Sequence, residues 1–84
     1  MRIEFTLHAL ARMKERGISQ DEVLVTLAHP IRTINAENER FEAQGWIERD
    51  ARRMLLRVIC EHGVVVTVVT VMATSKFEKY GVTP

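Results

Sequence analysis

The run from Val64 to Met72, VVVTVVTVM, constrains this chain more than any other segment. Nearly all its residues are β-branched, which crowds a helix at χ1 and suits the pleated surface of a strand. Both faces of such a strand are apolar, so it belongs inside a sheet, with helices over one face and a tail or a second subunit over the other. His62 and Gly63 read as the tight link leading into it. Before that link, Arg52 to Glu61 alternates: Met54, Leu56, Val58 and Cys60 fall on one side, and Arg53, Leu55, Arg57 and Ile59 on the other. Only the first side is uniformly apolar, so it is the expected core side.

A period of two also runs through Ile31 to Ala36 and Arg40 to Glu48, with Glu37, Asn38 and Glu39 as the turn between them. Gly45 beside Trp46 is the expected position of a bulge, since a glycine inside a strand packs nothing. Before Pro30 the period is helical. Thr6 caps a first helix that ends at Gly17, with Leu7, Ala9, Leu10 and Met13 on one arc and His8, Arg12, Glu15 and Arg16 on the opposite one. Ser19 and Glu22 have the spacing of a capping box, behind Ile18 as staple residue. The second helix is expected to turn Val23, Leu24 and Leu27 inward and to stop near His29, because Pro30 disfavours helical geometry in the residue before it. Residues Ala73 to Pro84, carrying Phe77 and Tyr80, are expected to form one short turn docked on the second face of the valine strand. The expected class is α+β: two N-terminal helices packed on a four-stranded antiparallel sheet, in a single domain over residues 1–84.

Of the 84 residues, 46% are hydrophobic and 27% charged, which predicts a packed core and excludes a disordered chain. Twelve basic residues against eleven acidic ones leave no global argument for a polyanion. Locally, however, Arg49, Arg52, Arg53 and Arg57 face only Asp50, and arginine's planar fork suits phosphate. Cys60 is the single cysteine, so an intramolecular disulfide is excluded and a cytoplasmic location is expected. The charged N-terminus does not read as a signal peptide, and Gly63 to Met72 is too short to cross a membrane. No membrane partner is expected.

His8 and Arg12 lie one turn apart on the first helix, and Arg16 one turn further. An imidazole that titrates near neutrality beside two fixed cations suits proton transfer next to a phosphate. Thr67 and Thr70 differ in parity, so they are expected on opposite sides of the last strand, one of them beside Arg53 and Arg57 on an open sheet face. Cys60 and His62, even with His8 or His29, lack the paired spacing of a zinc site. There is also no glycine-rich phosphate loop, nucleophile elbow or H-E-x-x-H helix. Neither a metal nor a cofactor is expected.

The stretch LHALARMKERGIS from Leu7 to Ser19, then Glu22-Val23, His29-Pro30 and the closing Val68-Val69-Thr70-Val71, resembles the family known as domain of unknown function 4258. That family is similar in fold to the RelE, barnase and colicin group of small metal-independent ribonucleases, which cut RNA through its own 2′-hydroxyl. The resemblance implies His8 as proton-transfer residue, Arg12 and Arg16 as stabilisers of phosphate charge, and Thr70 as a contact from the strand. Arg52, Arg53 and Arg57 are the candidate RNA-binding residues. The implied function is a small toxin-like endoribonuclease of toxin-antitoxin type, with RNA as substrate and a protein antitoxin as partner. Two other functions stand beside it. One is a non-catalytic interaction module, homodimeric through the second face of the valine strand; the other binds RNA without cleaving it.

Overall fold

The computed structural model describes residues 2–84. In chain order the elements are β1 (Ile3–Phe5), α1 (Leu7–Arg16), α2 (Gln20–Ala28), β2 (Arg32–Asn35), β3 (Arg40–Arg49), β4 (Arg52–Glu61), β5 (Val66–Thr74) and a 3-10 turn (Phe77–Tyr80). The strands form one sheet in the order β1-β5-β4-β3-β2, antiparallel except that β1 runs parallel to β5. The α+β class with two helices is as expected, but the sheet has five strands and is mixed instead of four and antiparallel. A strand as short as β1 shows no periodicity in sequence. Its structural role is plain: it covers an edge that a valine-rich strand would otherwise leave open, and Ile3 and Phe5 pack against the core.

One hydroxyl starts the helical layer and fixes it to the sheet. Thr6 Oγ1 accepts from the Ala9 amide at 3.0 Å and donates to the Val69 carbonyl at 3.0 Å. Gly17, at φ 64°, ends α1 in the left-handed region, and the Ile18 amide returns to the Met13 carbonyl. The inward face of α1 is narrower than the sequence arc: Ala9 and Met13 are buried, whereas Leu7 is 85% exposed and Leu10 lies at the margin. With Thr6 pinned to β5, the helix rotates until small Ala9 meets the sheet, which turns Leu7 out.

α2 opens on the expected capping box, Ser19 Oγ accepting from the Glu22 amide and Glu22 Oε1 from the Ser19 amide. Val23 and Thr26 are buried and Leu27 half-buried, but Leu24 is exposed instead of facing the core. The cause is Gly45, which forms no bulge. It pairs in register with Leu56, and its missing side chain lets Thr26 close down on β3. That contact sets the rotation of α2.

The bulge lies in β5 instead. Ile59 pairs with Thr70 and Cys60 with Val68, leaving Val69 as the extra residue. The parity of the strand therefore flips at Val69. Thr67, opposite Glu61, and Thr70, opposite Ile59, end up on the same side of the sheet, contrary to the expectation from spacing. β5 also begins later than its valine run, because Val64 is fully exposed in the link after β4.

Between helices and sheet lies a core that includes Ala9, Met13, Ile18, Val23, Leu56, Val58, Cys60, Val68 and Val71. Burial pushes the Cys60 thiol up to about 12, so it is a packing residue and not a nucleophile. The sheet face away from the helices, here the distal face, is closed where it is most apolar. Leu55 is fully buried there, and Phe77 meets Trp46 edge-on at a centroid distance of 5.0 Å. The tail thus docks over β2 to β4. It leaves much of β5 alone, where Thr67, Thr70 and Thr74 give the distal face a polar surface that tolerates water. Among the described residues, no helix is long and apolar enough to cross a membrane.

Candidate functional site

The sheet separates the residues nominated by sequence. His8, Arg12 and Arg16 lie on α1, on the helix side. His8 and Arg16 are exposed, and Arg12 pairs with Glu15 at 3.1 Å. Thr70 pairs with Ile59 and so lies on the distal face. A single phosphate cannot touch both the α1 stripe and Thr70 without passing through the sheet. The three candidate RNA-binding arginines also part company. Arg52 is exposed at the start of β4 and forms no salt bridge among the described residues, and Arg53 lies 3.8 Å from Glu48 with its guanidinium over the Trp46 ring at 5.6 Å. Arg57 is drawn into a cluster of its own.

That cluster forms because residues 57, 42, 44 and 32 share the distal face. Gln44 stands in register between Arg57 on β4 and Arg32 on β2, and Glu42 is two residues along β3. Arg57 grips Glu42 with two hydrogen bonds, Nε to Oε2 at 2.8 Å and Nη2 to Oε1 at 2.9 Å. Gln44 Nε2 donates to Glu42 Oε2 at 2.6 Å. From above, the tail brings Tyr80, whose hydroxyl accepts from Arg57 Nη1 at 3.1 Å while its ring stacks 4.3 Å from the guanidinium. Arg32 Nη2 donates to the Tyr80 carbonyl.

The electrostatics follow from partial burial. The Glu42 and Arg57 side chains are only 15% and 18% exposed. Burial raises the Glu42 pKa, but the hydrogen bonds from Arg57 and Gln44, with the charges of Arg57 and Arg32, outweigh it and hold the carboxyl below its ordinary value. The Glu42 hydrogen bonds raise the Arg57 pKa in turn. Among the described residues, two buried polar atoms in the same cluster have no hydrogen-bond partner: Arg32 Nε and Gln44 Oε1. Among the described residues no group of three or more His, Cys, Asp or Glu side chains is placed to hold a metal ion.

Sequence reasoning named Arg57 but missed Arg32, Glu42, Gln44 and Tyr80. The usable signal was parity: a glutamate and a glutamine two apart on a strand that pairs with an arginine-bearing one. Exploiting it requires the β3–β4 register, which the two-residue turn at Asp50 and Ala51 sets.

The family model described as Domain of unknown function (DUF4258) matches residues 5–75, and the chain belongs to that family. The match includes Arg32, Glu42, Gln44 and Arg57 and stops short of Tyr80. No curated protein and no solved structure matches the chain.

Proposed function

We propose that this member of the family is a small toxin-like protein acting on RNA, with its working centre at the Glu42–Arg57–Tyr80 cluster instead of the α1 stripe. The observation that carries this is the pair of unpartnered polar atoms, Arg32 Nε and Gln44 Oε1, beside a largely buried carboxylate and guanidinium. Proteins rarely bury unmatched polar atoms, and perturbed charges gather where ligands bind. A single strand of RNA laid over the threonines of β5 reaches the cluster at its edge, with Thr70 contacting the backbone.

In cleavage through the 2′-hydroxyl, Glu42 takes the 2′ proton as the 2′-oxygen attacks phosphorus. Arg57 and Arg32 balance the charge that gathers on the phosphoryl oxygens, and the Tyr80 hydroxyl gives its proton to the departing 5′-oxygen. Binding without cleavage is the second reading. It is favoured by the full occupation of both Glu42 oxygens by Arg57, which leaves a weak base.

The test compares Glu42→Gln, Tyr80→Phe and His8→Gln on a labelled single-stranded RNA, with folding followed by circular dichroism. Glu42→Gln is expected to lower cleavage about 100-fold or more, with His8→Gln unchanged, because general acid-base groups contribute on that scale. Loss in His8→Gln alone moves the centre to α1. Binding without cleavage, with a salt slope of roughly 0.7 per phosphate that falls in Arg52→Ala and Arg53→Ala, selects the second reading. A chain that neither binds nor cuts RNA overturns both.

A further inference from the structure

Both arginines of the cluster end on one residue of the tail. Arg57 spends Nε and Nη2 on Glu42, and its third nitrogen, Nη1, donates to the Tyr80 hydroxyl at 3.1 Å, with the Met72 sulfur farther off at 3.8 Å. Arg32 donates through Nη2 to the Tyr80 carbonyl. The Tyr80 ring lies over the Arg57 guanidinium at 4.3 Å. A phosphate approaching this pair therefore meets Tyr80 first, because two oxygens of Tyr80 already occupy the donors that phosphoryl oxygens would use. Little of the cluster beneath is open: the Arg57 and Glu42 side chains are 18% and 15% exposed, and Gln44 is fully buried.

The cover is lightly held. None of the four residues of the turn Phe77–Tyr80 is buried. It rests on the sheet through Phe77 against Trp46 and through Tyr80 on the two arginines. Among the described residues, no backbone-to-backbone hydrogen bond joins the tail beyond Thr74 to a strand; the Gly81 amide returns to Glu78 within the turn itself. A segment held by a few side-chain contacts, with no ladder and little buried apolar surface, opens at far lower cost than the sheet beneath it.

We infer that residues 75–84 are a lid over the Arg32–Arg57 pair, closed in this structure, which an RNA phosphate opens by taking both arginines from Tyr80. The inference rests on the reading of this cluster as an RNA site and adds its regulation. With no RNA present, the closed lid keeps the arginines paired. The apparent affinity for RNA is then reduced by the fraction of molecules in which the lid is open. Reclosure over a bound strand returns the Tyr80 hydroxyl to the phosphate, where the proposed cleavage uses it.

Gly81 offers a way to loosen the lid without altering the cluster. It ends the turn at φ 76°, and a Cβ there would stand 3.4 Å from Arg32 Nη1. Gly81→Val places a β-branched residue in the left-handed region and crowds the arginine that holds the Tyr80 carbonyl. Binding of a short labelled single-stranded RNA is measured for the unaltered chain, Gly81→Val, Tyr80→Ala and the double variant, with folding checked by circular dichroism. Gly81→Val is expected to bind about tenfold tighter, the size of the left-handed strain. Tyr80→Ala should also bind more tightly although it removes an aromatic ring, and Gly81→Val should add little on top of it, since both act by releasing the same arginines. RNA that binds equally well to Gly81→Val and the unaltered chain, or more weakly to Tyr80→Ala, overturns the lid and leaves the RNA site standing. A complete absence of RNA binding by all four chains overturns the site and the lid together.

Discussion

Gly45 lies directly beneath Thr26: a Cβ on residue 45 would stand 2.8 Å from the Thr26 hydroxyl and 3.1 Å from its methyl. Thr26 has little room to retreat, because its hydroxyl donates to the Glu22 carbonyl at 2.9 Å within α2. Gly45→Ala should therefore cost about 1–3 kcal/mol by overpacking, a fall in Tm of several degrees for a chain this small. The double variant Gly45→Ala, Thr26→Ala should lose less than the sum of the two single changes in urea unfolding. Strict additivity would mean that the clash is not what excludes a side chain at 45.

Two of the three β-hairpins, β2–β3 and β3–β4, turn through non-glycine residues in the left-handed region. Asn38 and Glu39 lie at φ 60°, and Asp50 and Ala51 at φ 54° and 61°. Such turns match the twist of the flanking strands, but alanine has no side-chain hydrogen bond to offset the steric cost. Ala51→Gly should raise stability by about 0.5–1 kcal/mol, net of glycine's greater freedom when unfolded. A lower Tm in Ala51→Gly would contradict the turn geometry.

A chain ended after Thr74 removes Phe77 from Trp46 and Tyr80 from Arg57. The distal face around Leu55 and Trp46 then opens to water. Tryptophan emission should shift to the red, and light scattering should show association through the uncovered patch. A stable monomer with unshifted emission would show that the tail covers nothing of consequence.

The alternating strands β2 to β4, the Ser19 capping box, the Gly17 stop and the hairpin at Glu37 to Glu39 are legible in sequence because each depends on neighbours a few residues apart. Leu7, Leu24 and Gly45 are not, because helix rotation is decided by contacts with the sheet: Thr6 on Val69 and Thr26 on Gly45. Thr70 was misplaced relative to Thr67 because a bulge at Val69 reverses parity without leaving a mark in a run of valines and threonines. At the candidate site, Arg57 was visible as a charge on an apolar strand. Its partners Glu42 and Gln44 looked like ordinary solvent-facing strand residues, since nothing in the local pattern announced that Tyr80 would fold back over them.

Acid should destabilise the fold in part through the Glu42–Arg57 pair. Arg57 and Gln44 hold the folded Glu42 carboxyl below its ordinary value of 4.5, so as pH falls the unfolded chain takes up that proton first. The contribution is fully present above the unfolded value and drains away as pH drops through the folded one. Glu22, lowered by its hydrogen bond from Arg49, acts with the same sign. Glu42→Gln should therefore flatten the acid limb of the stability curve and also lower stability at pH 7. It leaves Arg57 largely buried without a counter-charge, a loss of about 3 kcal/mol on the scale of broken buried pairs. Glu22→Gln should flatten the same limb but cost less at pH 7, because Glu22 and Arg49 are more exposed. Thermal unfolding from pH 3 to pH 8 separates the two, and a Glu42→Gln limb as steep as that of the unaltered chain would show that Glu42 is not held ionised by Arg57.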